Sequence, residues 1–433
     1  MVVGDLATNV EVLVLGAGSG GCSAALRAAQ LGKEVLLVDP GPPGGGMRAG
    51  GLAAEALLEA AGQVWRLTHW SQPGITVAGS TFDWGQLQAW KNSRVEAMTT
   101  EIKRQLDQHQ VEVVTGQGWF LAENEARVES EYESKRYLFD QAVIAVGGEA
   151  APWPGLPFDQ KRVLNPTQAL ALAELPATLT LIGVDYLAAE LATLFVRLGV
   201  SVRVLLPAGQ RLLPEFDPAA GEVVQTRLRE MGVKIEDLTG FEDLTGLIIV
   251  SAGLTPRTTH LGLDKAKVTT GATGFIQVND RQQTGNPAIY AVGDVTGGPP
   301  LAYVAAKQGK VAAENLAGKL AQFAPQAIPR IARTDPEVAA VGLTASEAET
   351  AGYHVSRITY HVSPSTGFVE LVAEQENEVL LGVTIVGPQA GILIGEAALA
   401  LEMGATLTDL AETLHPRVGE ALARAAVKMI RDA

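Results

Sequence analysis

VEVLVLGAGSGGCSAALRAAQLGKEVLLVD, residues Val10–Asp39, reads as a strand, a glycine turn, a helix and a second strand. Val10 to Leu15 is a Val/Leu-rich strand, Ser23 to Leu31 an Ala-rich helix and Glu34 to Val38 the second strand. That is a βαβ unit. Gly16, Gly18 and Gly21 make the turn a GxGxxG motif, where the chain must bend tightly and let a pyrophosphate approach the N-terminus of the helix. Taken alone, the motif is a weak signal. Asp39 strengthens it, because it ends the next strand about 20 residues on, where a carboxylate accepts hydrogen bonds from an adenosine ribose. Cys22 lies in the first turn of the helix and reads as a small packing residue rather than a reactive thiol.

A second unit of the same kind follows, with strand Leu179 to Ile182, helix Leu187 to Leu198 and strand Ser201 to Leu206, so two nucleotide-sized domains are expected. Between the two units, Arg94 to Gln108 reads as an amphipathic helix and Val111 to Ala145 as short strands with turns. Pro152, Pro154 and Pro157 punctuate the passage into the second unit, and Ala324 to Pro329 precedes a final mixed region. With 433 residues and 47% hydrophobic composition, the chain can bury two or three cores. Its net charge of -15 argues against nucleic-acid and anionic-membrane partners. One cysteine excludes a disulfide framework and a thiolate metal cage, and fits a reducing, cytoplasmic setting. No targeting segment or membrane span is expected. His69, His109, His260, His354 and His361 show no ligand spacing, so no metal is expected.

The segment Thr284-Gly-Asn-Pro-Ala-Ile-Tyr-Ala-Val-Gly293-Asp294, followed by Pro299-Pro-Leu-Ala-Tyr and an Ala-rich helix, resembles the second FAD motif of the pyridine nucleotide–disulfide oxidoreductases. The resemblance implies that Gly293 and Asp294 belong to the FAD site, with Asp294 holding the ribityl chain and Ala302 contacting the cofactor. It extends to Ile144-Ala-Val-Gly-Gly, Pro154-Gly-Leu-Pro, Val250-Ser-Ala-Gly-Leu-Thr-Pro-Arg-Thr and Val114-Thr-Gly-Gln-Gly-Trp-Phe, whose Gly118 would face the adenine. Within that family the chain is most similar to the dihydrolipoamide dehydrogenases, through Asp83-Trp84, Glu396-Ala-Ala-Leu-Ala-Leu-Glu-Met-Gly-Ala and His415-Pro-Arg-Val-Gly-Glu420. The fold so implied is α/β, with two Rossmann-like nucleotide-binding domains of the three-layer ββα type and a C-terminal α+β dimerisation domain. An FAD-binding domain would take residues 1–157 and 273–325, a degenerate NAD-like domain 158–272, and the interface domain 326–433. A homodimer is implied, since the family's His-Pro segment completes the active site of the partner subunit. His415 and Glu420 keep the spacing of the family's acid–base dyad, which reads here either as catalytic or as a structural hydrogen bond at the interface.

The chain also departs from the family. Where two redox cysteines belong, it has Gly44-Gly-Gly-Met-Arg-Ala-Gly-Gly-Leu-Ala-Ala-Glu-Ala-Leu-Leu, with Met47 at the first position and Gly51 or Leu52 at the second. Neither has a thiolate form, so thiol exchange has no starting group. Glu55 replaces a lysine near the flavin, and that lysine's family partner, Glu190, remains. In the second glycine turn, Gly183 is followed by Asp185 and Ala188, with a carboxylate where pyrophosphate should approach. It would also serve as a helix N-cap and occupy the anion site itself. Leu206 and Leu254 replace an acid and an arginine, and residues 233–250 are too few for the strands usual there. NAD(P) binding is therefore doubtful, and Arg203 and Arg211 read as surface charge rather than a 2′-phosphate site. The interface domain is abbreviated between Tyr360 and Phe368. The expected function is an FAD-dependent oxidoreductase with direct electron transfer to flavin from an unknown small-molecule or protein donor. The alternative is a non-catalytic FAD-bound dimer, including one that binds a lipoylated partner.

Overall fold

The computed structural model describes residues 7–70, 73–241, 244–363, 367–416 and 419–432. β1 (Thr8–Leu15), α1 (Ser19–Gln30) and β2 (Val35–Asp39) form the first βαβ unit. A π-helical turn, Met47–Gly51, leads into α2 (Leu52–Thr68), and α3 (Trp84–Gln108) starts well before the expected Arg94. The strands β3 (Glu112–Thr115), β4 (Gln117–Ala122), β5 (Glu125–Glu129), β6 (Ser134–Ile144) and β7 (Gly148–Ala150) follow. The second segment supplies β8 (Val163–Leu164), α4 (Pro166–Ala169), β9 (Thr178–Gly183) and α5 (Tyr186–Arg197). It continues through β10 (Ser201–Leu206), α6 (Pro218–Glu230), β11 (Lys234–Asp237) and β12 (Leu247–Ser251). Then come β13 (Leu254–Pro256), β14 (Ile289–Ala291) and α7 (Ala302–Leu316). The last region holds β15 (Arg330–Ala332), β16 (Val338–Gly342), α8 (Ala345–Thr350), β17 (Val355–Ser363), β18 (Gly367–Glu374) and β19 (Leu380–Val386). It closes with α9 (Ala390–Glu402), α10 (Leu407–Glu412) and α11 (Glu420–Asp432).

Two compact units result. The first comprises Met1–Ala56, Gly85–Ala151 and Gly253–Ala324. Its sheet runs β3-β2-β1-β6-β5-β4, with β14 beside β6. β1 pairs in parallel with β2 and β6, and its unbroken run Val12–Leu15 is buried on both faces. Val12 and Val14 pack with the alanines of α1 and with Ala312 and Ala313 of α7. Leu13 and Leu15 face the other way, into a core shared with Phe120, Val128 and Phe139 of the antiparallel strands β4, β5 and β6. This alternation gives the three layers.

The second unit comprises Leu57–Trp84, Pro152–Ala252 and Pro325–Ala433. It contains the all-parallel sheet β11-β10-β9-β12-β8 and the antiparallel sheet β15-β16-β19-β18-β17. β17 and β18 pair as far as Ser363↔Gly367, and residues 364–366, within the stretch read as abbreviated, lie outside the described residues. The unit boundary differs from the expected 272, because the chain rejoins the first unit at Gly253. There, Thr255 pairs with Glu149, Phe120 N–H donates to the Leu261 carbonyl at 2.8 Å, and Leu261, Ala266 and Val268 enter the core behind β1. Apolar burial fixes these residues in the first unit.

Candidate functional site

The first glycine turn is built around one carboxylate and two close approaches. Gly16 has φ +103°, and a Cβ there would overlap the Ala145 carbonyl; a Cβ at Gly21 would overlap the carbonyl oxygen of Gly16. A Cβ at Gly18 would meet nothing within 4 Å, so its face is open. Asp39 closes the turn from the end of β2, its Oδ2 accepting from Ala17 N–H at 2.6 Å and its Oδ1 from Gly41 N–H at 2.7 Å. α1 starts from Gly18 with no side-chain cap hydrogen bond and no acid in its first turn. Cys22 donates to the Ala17 carbonyl, and burial pushes its thiol up to about 12, which leaves it a packing residue.

The second FAD motif lies in the same unit. Gly293, at φ +76°, donates its N–H to Gln308 Oε1 at 2.8 Å and opens the 3₁₀ turn Gly293–Thr296. Asp294 is partly buried, and its carboxyl is raised above the usual range chiefly by that burial, with Arg257 opposing. Ala302 is the exposed first residue of α7, another helix whose first turn has neither side-chain cap nor acid. α7 crosses α1 where Gly20 meets Gly309, too close for any Cβ at Gly309. Gly118 on β4 abuts the Leu15 side chain, so a larger residue would collide there. Two helix starts without side-chain caps, an open face at Gly18 and the partly buried Asp294 carboxyl fit an FAD with anionic phosphates and hydroxyl-bearing linkers.

Beside the first turn runs the segment that would carry redox cysteines. Gly44 N–H donates to the Ala17 carbonyl at 2.8 Å, and Gly45 packs so closely on Gly18 that its Cβ would lie 2.9 Å from the Gly18 Cα. Cβ atoms at Gly46, Gly50 and Gly51 would enter open space. Glu55 occupies the first turn of α2, half-buried. Glu190 is fully buried within α5 in the other unit, where its Oε1 accepts from Arg333 N–H at 2.8 Å. Burial pushes its carboxyl up to about 7, the Arg333 hydrogen bond and charge opposing, Asp185 and Glu337 adding to the rise.

The second glycine turn repeats the first one's close backbone approach and adds a side-chain cap. Gly183, at φ +152°, sits against the Ser251 carbonyl. Asp185 caps α5, accepting from Ala188 N–H at 3.0 Å, and the Ser251 hydroxyl lies 2.8 Å from both of its oxygens. The pattern Gly-Val-Asp foretold that cap. It did not foretell Glu215, whose Oε1 accepts from Tyr186 N–H at 2.7 Å. Leu206 is buried at the end of β10. Arg203 pairs with Glu236 at 2.6 Å, the exposed pair expected of surface charge. Arg211 instead turns inward, its guanidinium donating to the carbonyls of Leu213 (2.8 Å), Pro214 (3.1 Å) and Phe216 (2.5 Å).

His415 and Glu420 take different partners. Glu420, expected to hold His415, pairs with Arg424 at 2.7 Å, one helical turn along α11, where the i,i+4 geometry favours it. His415 uses Glu396 of α9 through Nε2 and the Thr413 carbonyl through Nδ1 at 2.8 Å, with its side chain 4% exposed. A carbonyl only accepts, so Nδ1 carries a proton and Nε2 faces the carboxyl. Glu396 had a signal in the Glu-Ala-Ala-Leu-Ala-Leu-Glu run, but none that tied it to the histidine. Among the described residues no cluster of His, Cys, Asp or Glu is arranged to hold a metal, and no helix is long and apolar enough to cross a membrane.

Comparison with known proteins agrees with this geometry. Residues 10–309 match the family described as pyridine nucleotide-disulphide oxidoreductase, and residues 328–426 match its dimerisation domain. The dihydrolipoyl dehydrogenase of Geobacillus stearothermophilus is 34% identical, over 98% of this chain and 97% of that protein. The dihydrolipoyl dehydrogenase of Thermus scotoductus is 38% identical, over 98% of both. LpdA of Mycobacterium tuberculosis has the same fold, with a TM-score of 0.88 over 97% of this chain and 99% of that one at 24% identity. The chain belongs to the pyridine nucleotide-disulphide oxidoreductase family, and FAD is its cofactor.

Proposed function

We propose that this protein is an FAD-dependent oxidoreductase whose donor and acceptor exchange electrons with the flavin directly, without a dithiol relay and without NAD(P) as an efficient partner. One observation carries the reading. The FAD turn is complete around Gly16, Gly21 and Asp39, while the chain's one cysteine, Cys22, is buried and hydrogen-bonded to the Ala17 carbonyl. When bound, FAD supplies reversible electron acceptance. The protein supplies the rest. Gly16, Gly18, Gly21 and Asp39 hold the adenosine and phosphate end, with Gly118 towards the adenine, while Gly293, Asp294 and Ala302 hold the ribityl and flavin end. His415 is the proton carrier, and Glu396 takes the orienting role that the family resemblance implied for Glu420.

A homodimer follows from the dimerisation domain and from the outer face of α9, where Ile392, Leu399 and Met403 are exposed around Glu396 at helical spacing. In that dimer each His415 would serve the partner's flavin. The alternative reading is a non-catalytic FAD-bound dimer, favoured by the carboxylates at the start of α5 together with the missing thiols. Since the relatives named above are dihydrolipoyl dehydrogenases, a lipoyl-bearing carrier is the first protein partner to test in either case.

The decisive experiment follows the flavin absorbance near about 450 nm under anaerobic titration with NADH, NADPH and dihydrolipoamide, then with a panel of other donors. The proposal expects slow or no bleaching by the first three and rapid bleaching by at least one other donor, slowed in His415→Ala. Rapid bleaching by a nicotinamide or by dihydrolipoamide overturns it. Inertness to every donor would leave the non-catalytic dimer.

A further inference from the structure

We propose that Asp185 and Glu215 together form an internal pyrophosphate mimic that keeps the second dinucleotide site shut, and that the loop Pro207–Asp217 is its plug. The idea rests on the reading that NAD(P) is not an efficient partner, and explains it by a specific contact. A dinucleotide presents two linked phosphates to the start of a Rossmann helix, and the backbone N–H groups there are what receive them. In this chain two carboxylates from different parts of the sequence already do so. Asp185 takes Ala188 N–H at 3.0 Å, and Glu215 takes Tyr186 N–H at 2.7 Å.

The second carboxylate is held in place by construction. Leu213 N–H donates to the Val184 carbonyl at 2.7 Å, which ties the loop directly to the glycine turn. Leu212, Leu213 and Phe216 are buried beneath it. Arg211 binds the loop's own carbonyls at residues 213, 214 and 216, so the one arginine of this loop is spent inside it and does not await a phosphate. Asp217 then caps α6 by accepting from Ala219 N–H at 2.8 Å, fixing the far end. Between these two anchors Glu215 has little freedom. Ser251 completes the arrangement by donating to Asp185 from the end of β12. Removing one carboxylate frees one helix-start N–H and leaves the other occupied, so each single change reopens the site only in part.

The test uses the FAD-loaded protein and ADP-ribose, a probe that carries the pyrophosphate and cannot reduce flavin. Calorimetric titration is expected to show no saturable binding to the wild type. In Asp185→Gly/Glu215→Ala, where glycine remains an acceptable helix cap, affinity should rise at least about tenfold, with each single variant gaining less. Saturable binding to the wild type, or a flavin-bearing double variant that binds no better than the wild type, overturns the proposal. Should the double variant lose its flavin, Glu215→Ala alone decides: the amide resonance of Tyr186 should move with inorganic pyrophosphate in that variant and stay fixed in the wild type, and equal behaviour in both would overturn it. The functional reading fails separately. Rapid bleaching of the wild-type flavin by NADH would sink that reading too, whereas ADP-ribose binding without bleaching would remove only the plug.

Discussion

α1 and α5 each begin at a glycine turn after a parallel strand, yet the first is left without any capping side chain while the second is satisfied by Asp185 and Glu215. The backbone physics is the same at both. A helix start carries orphan N–H groups and a partial positive charge, and either a ligand's anion or a side chain can answer them. Where the chain supplies the anion, the helix gains about 1 kcal/mol from its cap whether or not any cofactor is present. Where it does not, the fold depends on what binds. The first turn therefore keeps Gly16 and Gly21 under steric compulsion, and the second has relaxed that demand at Ala188. Ala188 stands where Gly21 stands and is fully buried without strain, whereas a Cβ at Gly21 would overlap the Gly16 carbonyl.

The largest effect should come from forcing the first turn to resemble the second. Gly21→Ala pushes a methyl into a backbone carbonyl that cannot move without displacing β1, a conflict expected to cost more than about 3 kcal/mol. The purified variant should carry at most a small fraction of the wild-type FAD and melt many degrees lower, as read by flavin absorbance and calorimetry. A variant with full flavin content would show that the turn has slack, and that the two sites differ less than their geometry suggests.

Next in size is a pH effect confined to α5. Glu190 is buried, and its carboxyl lies at about 7 against 4.5 for the ordinary side chain. The native state thus holds a proton that the unfolded chain releases as pH rises above 4.5, so this residue's contribution to stability is full below 4.5 and is lost as pH climbs through 7. The span amounts to about 3 kcal/mol. Glu190→Gln, which imitates the protonated acid, should match the wild type near pH 5 and exceed it at pH 8.5 in thermal unfolding. Parallel pH profiles for the two proteins would mean that Glu190 titrates normally and that its burial is relieved by groups beyond Arg333.

What could be read from sequence was what is local in sequence. Gly16, Gly18, Gly21 and Asp39 fall within one βαβ unit, so spacing alone placed them, and Asp185 was legible for the same reason. Glu215 was not, because it reaches Tyr186 only through the path of the loop after β10, and nothing in Pro-Glu-Phe-Asp advertises that path. The dyad failed in the same way. Spacing paired His415 with Glu420, but Glu420 starts α11 and meets Arg424 one turn on, while Glu396 arrives from another helix. The unit boundary slipped from 272 to 252 because residues 253–268 carry only the short strand β13 and a few apolar anchors, a pattern too weak to assign without seeing the core they enter.

Two smaller changes sharpen the contrast within the second turn itself. Ser251→Ala removes the hydroxyl that both oxygens of Asp185 share, and should cost about 1–2 kcal/mol in denaturant unfolding, since a hydrogen bond to a partly buried carboxylate is lost. No loss would indicate that water replaces the serine and that the turn is more open than its packing implies.

Ala188→Gly is the smallest and the most discriminating. It restores the third glycine of the fingerprint without touching either carboxylate, and should cost well under about 1 kcal/mol through helix propensity. If the carboxylates close the site, this variant gains no affinity for ADP-ribose, because Tyr186 and Ala188 N–H remain occupied by Glu215 and Asp185. If affinity appears, the close approach of backbone to pyrophosphate was the limiting factor, and the methyl of Ala188 did the excluding. The two turns would then differ by sterics, and the charge now found at α5 would be a later accommodation to a site already shut.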